Sequence, residues 1–434
     1  MSRRPGPCGP VVAGLLLLLV GCTPSHGSTA STAATDLAAA PGVGVDRPRS
    51  PQPLVTAAPR ADLVIWAPPD VAAALRPRAE DFGRTRGVSV TVESVSDVRS
   101  ALQDVTAPES GPDVFLGPHT WLGEMEQQRV ISRVTLSRNQ QRRLAPKALA
   151  GARYDGQLWG VPYAIANLAL VRNTDLAPQA PQTYEQLIAN GRRLKAEGKV
   201  NRILLQSTGS TGDVYSGYPY LRAYGGGIFA KTPNGQYSPG RLVLDSPASL
   251  EGARRLAELG REGVIQPDVD NTNAVPLFGD RHGAYLVTGA WSVPVIQASG
   301  VPYAISPLPA LPRGGKPVPL LDVDLFYVSA TAQSPKLAQE FVRDCATRRD
   351  VQVRLARATG LPPALTAAYR DVAARDHHYA AWFDAGRDGD PVPSVPAMQA
   401  VWGPLGQAFA DIVAGKDPQH SLTAAARQIS SDLP

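Results

Sequence analysis

The sequence predicts an α/β fold made of two lobes with a ligand cleft at the hinge between them. Three observations lead there. A strand–helix–strand–helix–strand succession opens the body near Asp62, the pattern of a parallel sheet with helices on its faces. A second mixed run of strands and helices follows, and the C-terminal part is mainly helical. The roughly 370 residues after position 60 are also more than a single hydrophobic core usually organises.

The elements follow in order. Asp62 to Trp66 is a short apolar run of the kind that forms a buried strand. Pro68-Pro69-Asp70 breaks it, and Ala72 to Phe82 reads as a helix. After Gly87, the alternation of Val88, Val90 and Val92 predicts a second strand. A helix over Val98 to Val105 leads into a third strand over Pro112 to Leu116. Strands are then expected at Leu168–Val171, Ile203–Leu205, Ala284–Val287 and Leu325–Val328. Helices are expected at Tyr184–Glu197, Leu250–Leu259, Pro335–Arg348 and Ala397–Val413. No repeat recurs at a fixed period. Open α/β sheets take ligands at the carboxyl ends of their strands, so two such sheets facing each other make a clamp.

The N-terminus carries its own signal. Arg3 and Arg4 precede an apolar stretch from Val11 to Val20, and Leu19-Val20-Gly21-Cys22 closes it. That order predicts an export signal over residues 1–21. The apolar stretch is shorter than the roughly 20 residues a membrane span needs. The small residue before Cys22 resembles a bacterial lipobox, which implies a lipid-anchored Cys22 on the outer face of the cell membrane; the alternative is an ordinary signal with an incidental cysteine. Residues 22–60 are rich in Ser, Thr, Ala, Pro and Gly and predict an unstructured tether. With Cys8 in the signal and Cys22 at the anchor, only Cys345 is left, so neither a disulfide nor a zinc cluster is expected.

Charge and motifs exclude several classes. The formal charge of +5 is spread over scattered or short basic runs such as Arg142-Arg143 and Arg348-Arg349. No basic stripe interleaved with aromatics exists, so no nucleic-acid partner is expected. There is no H-E-x-x-H, G-x-S-x-G, Walker loop or dinucleotide fingerprint. Gly209 to Gly212 and Gly225 to Gly227 lack the strand-to-helix context of a phosphate loop. No enzyme activity, cofactor or metal is expected. His377-His378 behind Asp376 reads as a solvated turn, because neighbours on a helix point apart. Asp268, Asp270, Asn271 and Asn273 lack the glycine and distal glutamate of a calcium loop. A secreted carbohydrate-active enzyme stays open, since its two facing carboxylates need not be near in sequence.

Several segments, in order over nearly the whole body, resemble the maltose-binding protein branch of the family 1 extracellular solute-binding proteins. They are Leu63-Val64-Ile65-Trp66, Gly111-Pro112-Asp113-Val114, Tyr154 to Pro162, Leu170 to Leu176, Thr183-Tyr184-Glu185, Ala223 to Gly226, Thr288 to Trp291, and Met398 to Trp402. The resemblance implies a periplasmic-binding-protein clamp: an N-terminal lobe of residues 61–165 plus about 326–372, and a C-terminal lobe of 166–325 plus about 373–434. It implies capture of maltose, maltodextrin or a related oligosaccharide, delivery to the transmembrane subunits of an ABC importer, and a monomer. Carried over position by position, the ligand contacts are Asp213, Tyr215, Trp291, Trp402, Asp70 and Tyr163.

Alternatives stand beside two of these: Trp402 as a core residue of an amphipathic helix, and Asp213 as a helix cap. The sequence departs from the family at Ala166, where an acid is expected and Asn167 is the polar substitute. It departs again at Thr120-Trp121, which replaces an acid–arginine pair, and at Gly117, which replaces a tryptophan. Trp121 with His119 forms another platform, or Trp121 anchors the following helix. Competing readings are a binding protein for a non-sugar solute such as glycerol phosphate, an iron chelate or a polyamine, and a clamp that has lost its ligand. A polyamine would need convergent carboxylates, and a phosphate an arginine cluster or helix N-termini.

Overall fold

The computed structural model describes residues 60–232 and 237–433. The export signal expected over 1–21, the lipid-anchored Cys22 and the tether up to residue 59 lie outside the described residues. The strand Leu63–Ala67 is buried along its whole length. It pairs in parallel with Val90–Ser94 and with Val114–Pro118, placing Leu63 opposite Val90 and Ile65 opposite Val114. The helices Pro69–Arg86 and Val98–Gln103 make the crossovers. Pro69 stands in the first turn, where a missing N–H costs nothing, and Gly87 ends that helix at φ 67. The opening three strands and two helices lie where the sequence puts them, the first helix being longer at both ends.

Asp155 and Gly156 both take positive φ (46° and 71°) and close the two-residue hairpin between Arg153–Tyr154 and Gln157–Leu158. An Asp-Gly pair suits that turn. Next comes Gly160–Asn173, a strand of 14 residues and far longer than the Leu168–Val171 expected. It is buried on both faces, so the alternation that marks a half-exposed strand is missing. Its first half pairs antiparallel with Leu320–Ser329, with Val161 opposite Phe326. Its second half pairs with Tyr285–Gly289 and Tyr303–Ser306, with Leu170 opposite Val287. The sheet runs in the order 90–94, 63–67, 114–118, 320–329, 160–173, 285–289, 205–206.

By contact, Pro59–Pro434 forms one unit, yet its buried apolar side chains divide into clusters. One gathers Leu63 to Ile165 with Leu321 to Ala368. Another gathers Leu168 to Leu320 with Val392 to Ile429. The change falls between Ile165 and Leu168 on one long strand, and between Leu320 and Leu321 on the other. A third cluster takes Ala169 and Val171, while Leu168 and Leu170 belong to the second, because alternate residues leave opposite faces of a strand.

The helix expected over Pro335–Arg348 ends at Asp344, and Arg349–Thr359 starts anew. Arg348 between them is extended at φ −82° and ψ 138°. The strand expected at Ile203–Leu205 reduces to Leu205–Gln206, and the one expected at Leu325–Val328 begins at Leu320.

Candidate ligand cleft

A cavity of about 370 Å³ opens where these elements meet. Arg99 lines it from the first turn of the helix Val98–Gln103, and Thr120 from the short helical turn His119–Trp121 that follows the strand Val114–Pro118. Gly212 to Tyr215, Asn271, Gln399 and Trp402 line it from the side of the second cluster. Carboxyl ends of strands are where an open α/β sheet offers free backbone and loop groups.

Local sequence explains the walls. Asp213 caps the helix Val214–Ala223, accepting from the Ser216 N–H and the Ser216 hydroxyl at 3.2 Å each. It also lines the cavity, so capping the helix does not remove it from the wall. Gly212 has φ 71°, and a Cβ there would lie 1.7 Å from the Gly406 carbonyl oxygen. Only glycine lets this loop touch the helix Gln399–Val413. The approach brings Tyr215 onto Trp402, with ring centroids 5.7 Å apart and planes at 5°. Both rings are half-buried, so Trp402 belongs to the rim of the core and to the cavity wall together.

Behind Thr120 and Tyr215 stands an acidic pair that sequence reasoning missed. Asp322 and Asp324 leave the same face of Leu320–Ser329, cross-strand from Ala166 and Ala164. Ala166 is the position where the resemblance expects an acid, and here a carboxyl comes from the neighbouring strand instead. Asp322 Oδ1 lies 3.0 Å from His119 Nδ1, and both atoms accept from the Val323 N–H, at 2.9 and 3.1 Å. His119 Nε2 faces the Val392 carbonyl at 3.0 Å, so that nitrogen carries the proton. Burial, then the charge of Asp322, pushes the Asp324 carboxyl up to about 8. Burial, then the charges of these two acids, raises the phenols of Tyr163 and Tyr327 well above the usual value. The Tyr215 phenol is raised by burial first, then by Asp322, Asp213 and Asp324. A signal was present: two aspartates at alternate positions of an otherwise apolar strand.

The other expected contacts scatter. Asp70 is exposed in the first turn of Pro69–Arg86 and does not line the cavity. Tyr163 is buried against Phe326, with centroids 5.2 Å apart. Its ring is spent on the core, and it approaches the cleft only through the acidic pair. Asn167 is 2% exposed, donates to the Leu168 carbonyl at 3.1 Å and packs under Gly386. Trp291 is 50% exposed and lies over Gly289, away from the cavity lining.

Trp121 lies over Gly117 in the same manner, half-buried against the first cluster. This fits the anchoring role. The platform expected of His119 fails, because His119 is fully buried and both ring nitrogens are engaged. His377 and His378 do not point apart: their rings lie 4.3 Å from each other, and with Asp376 they bring three donor atoms within 4.8 Å. His378 also stacks on Tyr303 and meets Asp376 at 3.0 Å through Nδ1.

Comparison with known proteins agrees with this architecture. Residues 78–381 match the family model of a bacterial extracellular solute-binding protein. The chain is 22% identical over 386 residues to the galactooligosaccharide-binding protein of Bacillus subtilis, covering 86% of this chain and 90% of that one. It is 26% identical over 317 residues to a maltodextrin-binding protein of the same organism, covering 71% and 74%. It is 22% identical over 346 residues to a maltooligosaccharide ABC transporter solute-binding lipoprotein of Streptococcus pneumoniae, covering 78% and 80%. With an α/β body, a cavity at its strand ends and a family model matched over most of its length, the chain belongs to the bacterial extracellular solute-binding proteins.

Proposed function

We propose that this protein captures an oligosaccharide outside the cell and delivers it to the transmembrane subunits of an ABC importer. The observation that carries the reading is the parallel Tyr215–Trp402 pair beside Asp213 in the cavity wall. A sugar ring offers apolar C–H faces and a rim of hydroxyls. A flat aromatic surface next to a carboxylate answers both, and an unmatched buried hydroxyl costs on the order of 1–3 kcal/mol. The names of the relatives support the same ligand class.

Two lobes, 61–165 with about 326–372 and 166–325 with about 373–434, close on the ligand around the long strands Gly160–Asn173 and Leu320–Ser329. The separate apolar clusters support a two-lobed body. Ligand touching both lobes shifts the population toward the closed form, which is the form that engages the permease. Cys22 carries the lipid anchor, the protein acts as a monomer, and it binds the sugar without turning it over.

Thermal denaturation of the full chain tests the reading, with maltose, maltotriose, galactooligosaccharides, glycerol phosphate and spermidine added in turn. A ligand at 100 times its dissociation constant stabilises the native form by about 2.7 kcal/mol. A rise in melting temperature with a saccharide, and unchanged saccharide recovered afterwards, is the expected outcome. Stabilisation by the charged solutes alone would sink it.

A further inference from the structure

Two carboxyls stand close together behind Tyr215 of the cavity wall, with no lysine or arginine among the described residues paired to them. Asp322 and Asp324 stand at alternate positions of one strand, so both carboxyls leave the same face. Opposite them, the side chains of Ala166 and Ala164 are single methyl groups, which offer the carboxyls no hydrogen bond. Asp322 is met by His119, the Val323 N–H and the Tyr215 phenol, none of them a lysine or arginine, and 29% of its side chain is exposed. Among the described residues, the Asp324 carboxyl has no hydrogen bond and no ion pair, and burial and Asp322 act on it. Asp213 accepts one bond from Ser216 at each oxygen and, among the described residues, pairs with no cation. Arg99, the basic residue of the cavity wall, is already paired with Glu124.

Two neighbouring carboxyls without a facing cation oppose each other's ionisation, and burial adds to the cost. A neutral sugar brings no counter-charge to this place, whereas an ammonium group does. We propose that Asp322 and Asp324 are the specificity-determining acids of the cleft and receive the protonated amine of an amine-bearing oligosaccharide. The inference rests on reading the cleft as a saccharide site. Tyr215 links the two halves of the recognition: its ring lies on Trp402, and its phenol lies against the charge of Asp322. A linear polyamine would satisfy the acids but leave the aromatic surface unused.

Calorimetric titration of the full chain decides the point. The panel is amine-bearing oligosaccharides of α and β linkage, each beside its N-acetylated counterpart, with maltotriose and spermidine. The expected result is tightest binding to an amine-bearing member, by about tenfold or more over its acetylated twin. Asp324→Asn, which breaks no contact of the native structure, is expected to abolish that preference at an unimpaired melting temperature. Equal or tighter binding of a neutral or acetylated saccharide would overturn the inference and leave the saccharide reading standing. Preference for spermidine over every saccharide, or silence across the panel, would overturn both.

Discussion

Tyr215 and Trp402 stack with their planes 5° apart, although one sits on the helix Val214–Ala223 and the other on Gln399–Val413. Gly212 makes this possible by bringing its loop against Gly406. Such a pair is worth about 0.5–1.5 kcal/mol beyond its buried area. Trp402→Ala is expected to weaken saccharide binding by about tenfold or more and to lower stability by about 1 kcal/mol. Fluorescence titration and thermal denaturation of the variant check the two effects separately.

Asp324 makes a pH prediction whose sign is opposite to that of a salt-bridged acid. Its folded value, pushed up to about 8 by burial and Asp322, exceeds the ordinary 3.8. Between those values the native state holds a proton that the unfolded chain has released, so stability falls as pH rises across that window. Asp324→Asn removes the penalty. The variant is therefore expected to melt higher than the wild type at pH 8, with the gap narrowing toward pH 4.

Asp390 predicts the reverse. It is buried, and it accepts from Arg222 Nε at 2.7 Å, Tyr218 hydroxyl at 3.1 Å and Lys231 Nζ at 3.3 Å. Burial alone would raise its carboxyl, but the Arg222 bond and charge, helped by Lys231, hold it below the usual 3.8. The stability it contributes is complete above that value and disappears as pH falls through the lower folded one. At neutral pH, Asp390→Asn is expected to cost about 2 kcal/mol, discounted because Arg222 and Lys231 remain partly exposed. Chemical denaturation at pH 7 and at pH 3 measures both claims.

Gly117 and Gly289 support the two other tryptophans at the strand ends. A Cβ would fall 2.0 Å from Trp121 Cζ3 at Gly117, and 2.1 Å from Trp291 Cζ3 at Gly289. Trp121 is packed against the first cluster, so Gly117→Ala is expected to cost about 1–3 kcal/mol. Trp291 is half exposed and free to swing, so Gly289→Ala is expected to cost less while altering the near-ultraviolet circular dichroism. Equal costs at the two positions would contradict this account of the packing.

The opening parallel unit was legible because its signals are local: an apolar run, a proline break, an alternating valine strand, and a glycine at the helix end. The strand Gly160–Asn173 was half hidden, since burial on both faces erases the alternation that sequence reading depends on. Asp213 and Tyr215 line one cavity with Trp402, far from them in sequence. Asp322 and Asp324 were visible as an oddity in an apolar strand. That they stand opposite Ala166 and Ala164 follows only from strand register, fixed by a strand more than a hundred residues earlier in the chain. His119 was misread for a related reason. Its burial comes from Asp322 and Val392, both distant in sequence.

The central claim is that this cleft, and no other surface, captures a saccharide. Titration of the full chain with neutral and amine-bearing oligosaccharides, repeated on Trp402→Ala and Asp322→Asn, tests it most directly. The account predicts saturable binding to at least one saccharide that is lost or strongly weakened in both variants. Binding that survives unchanged in both, or no binding to any saccharide, would contradict it.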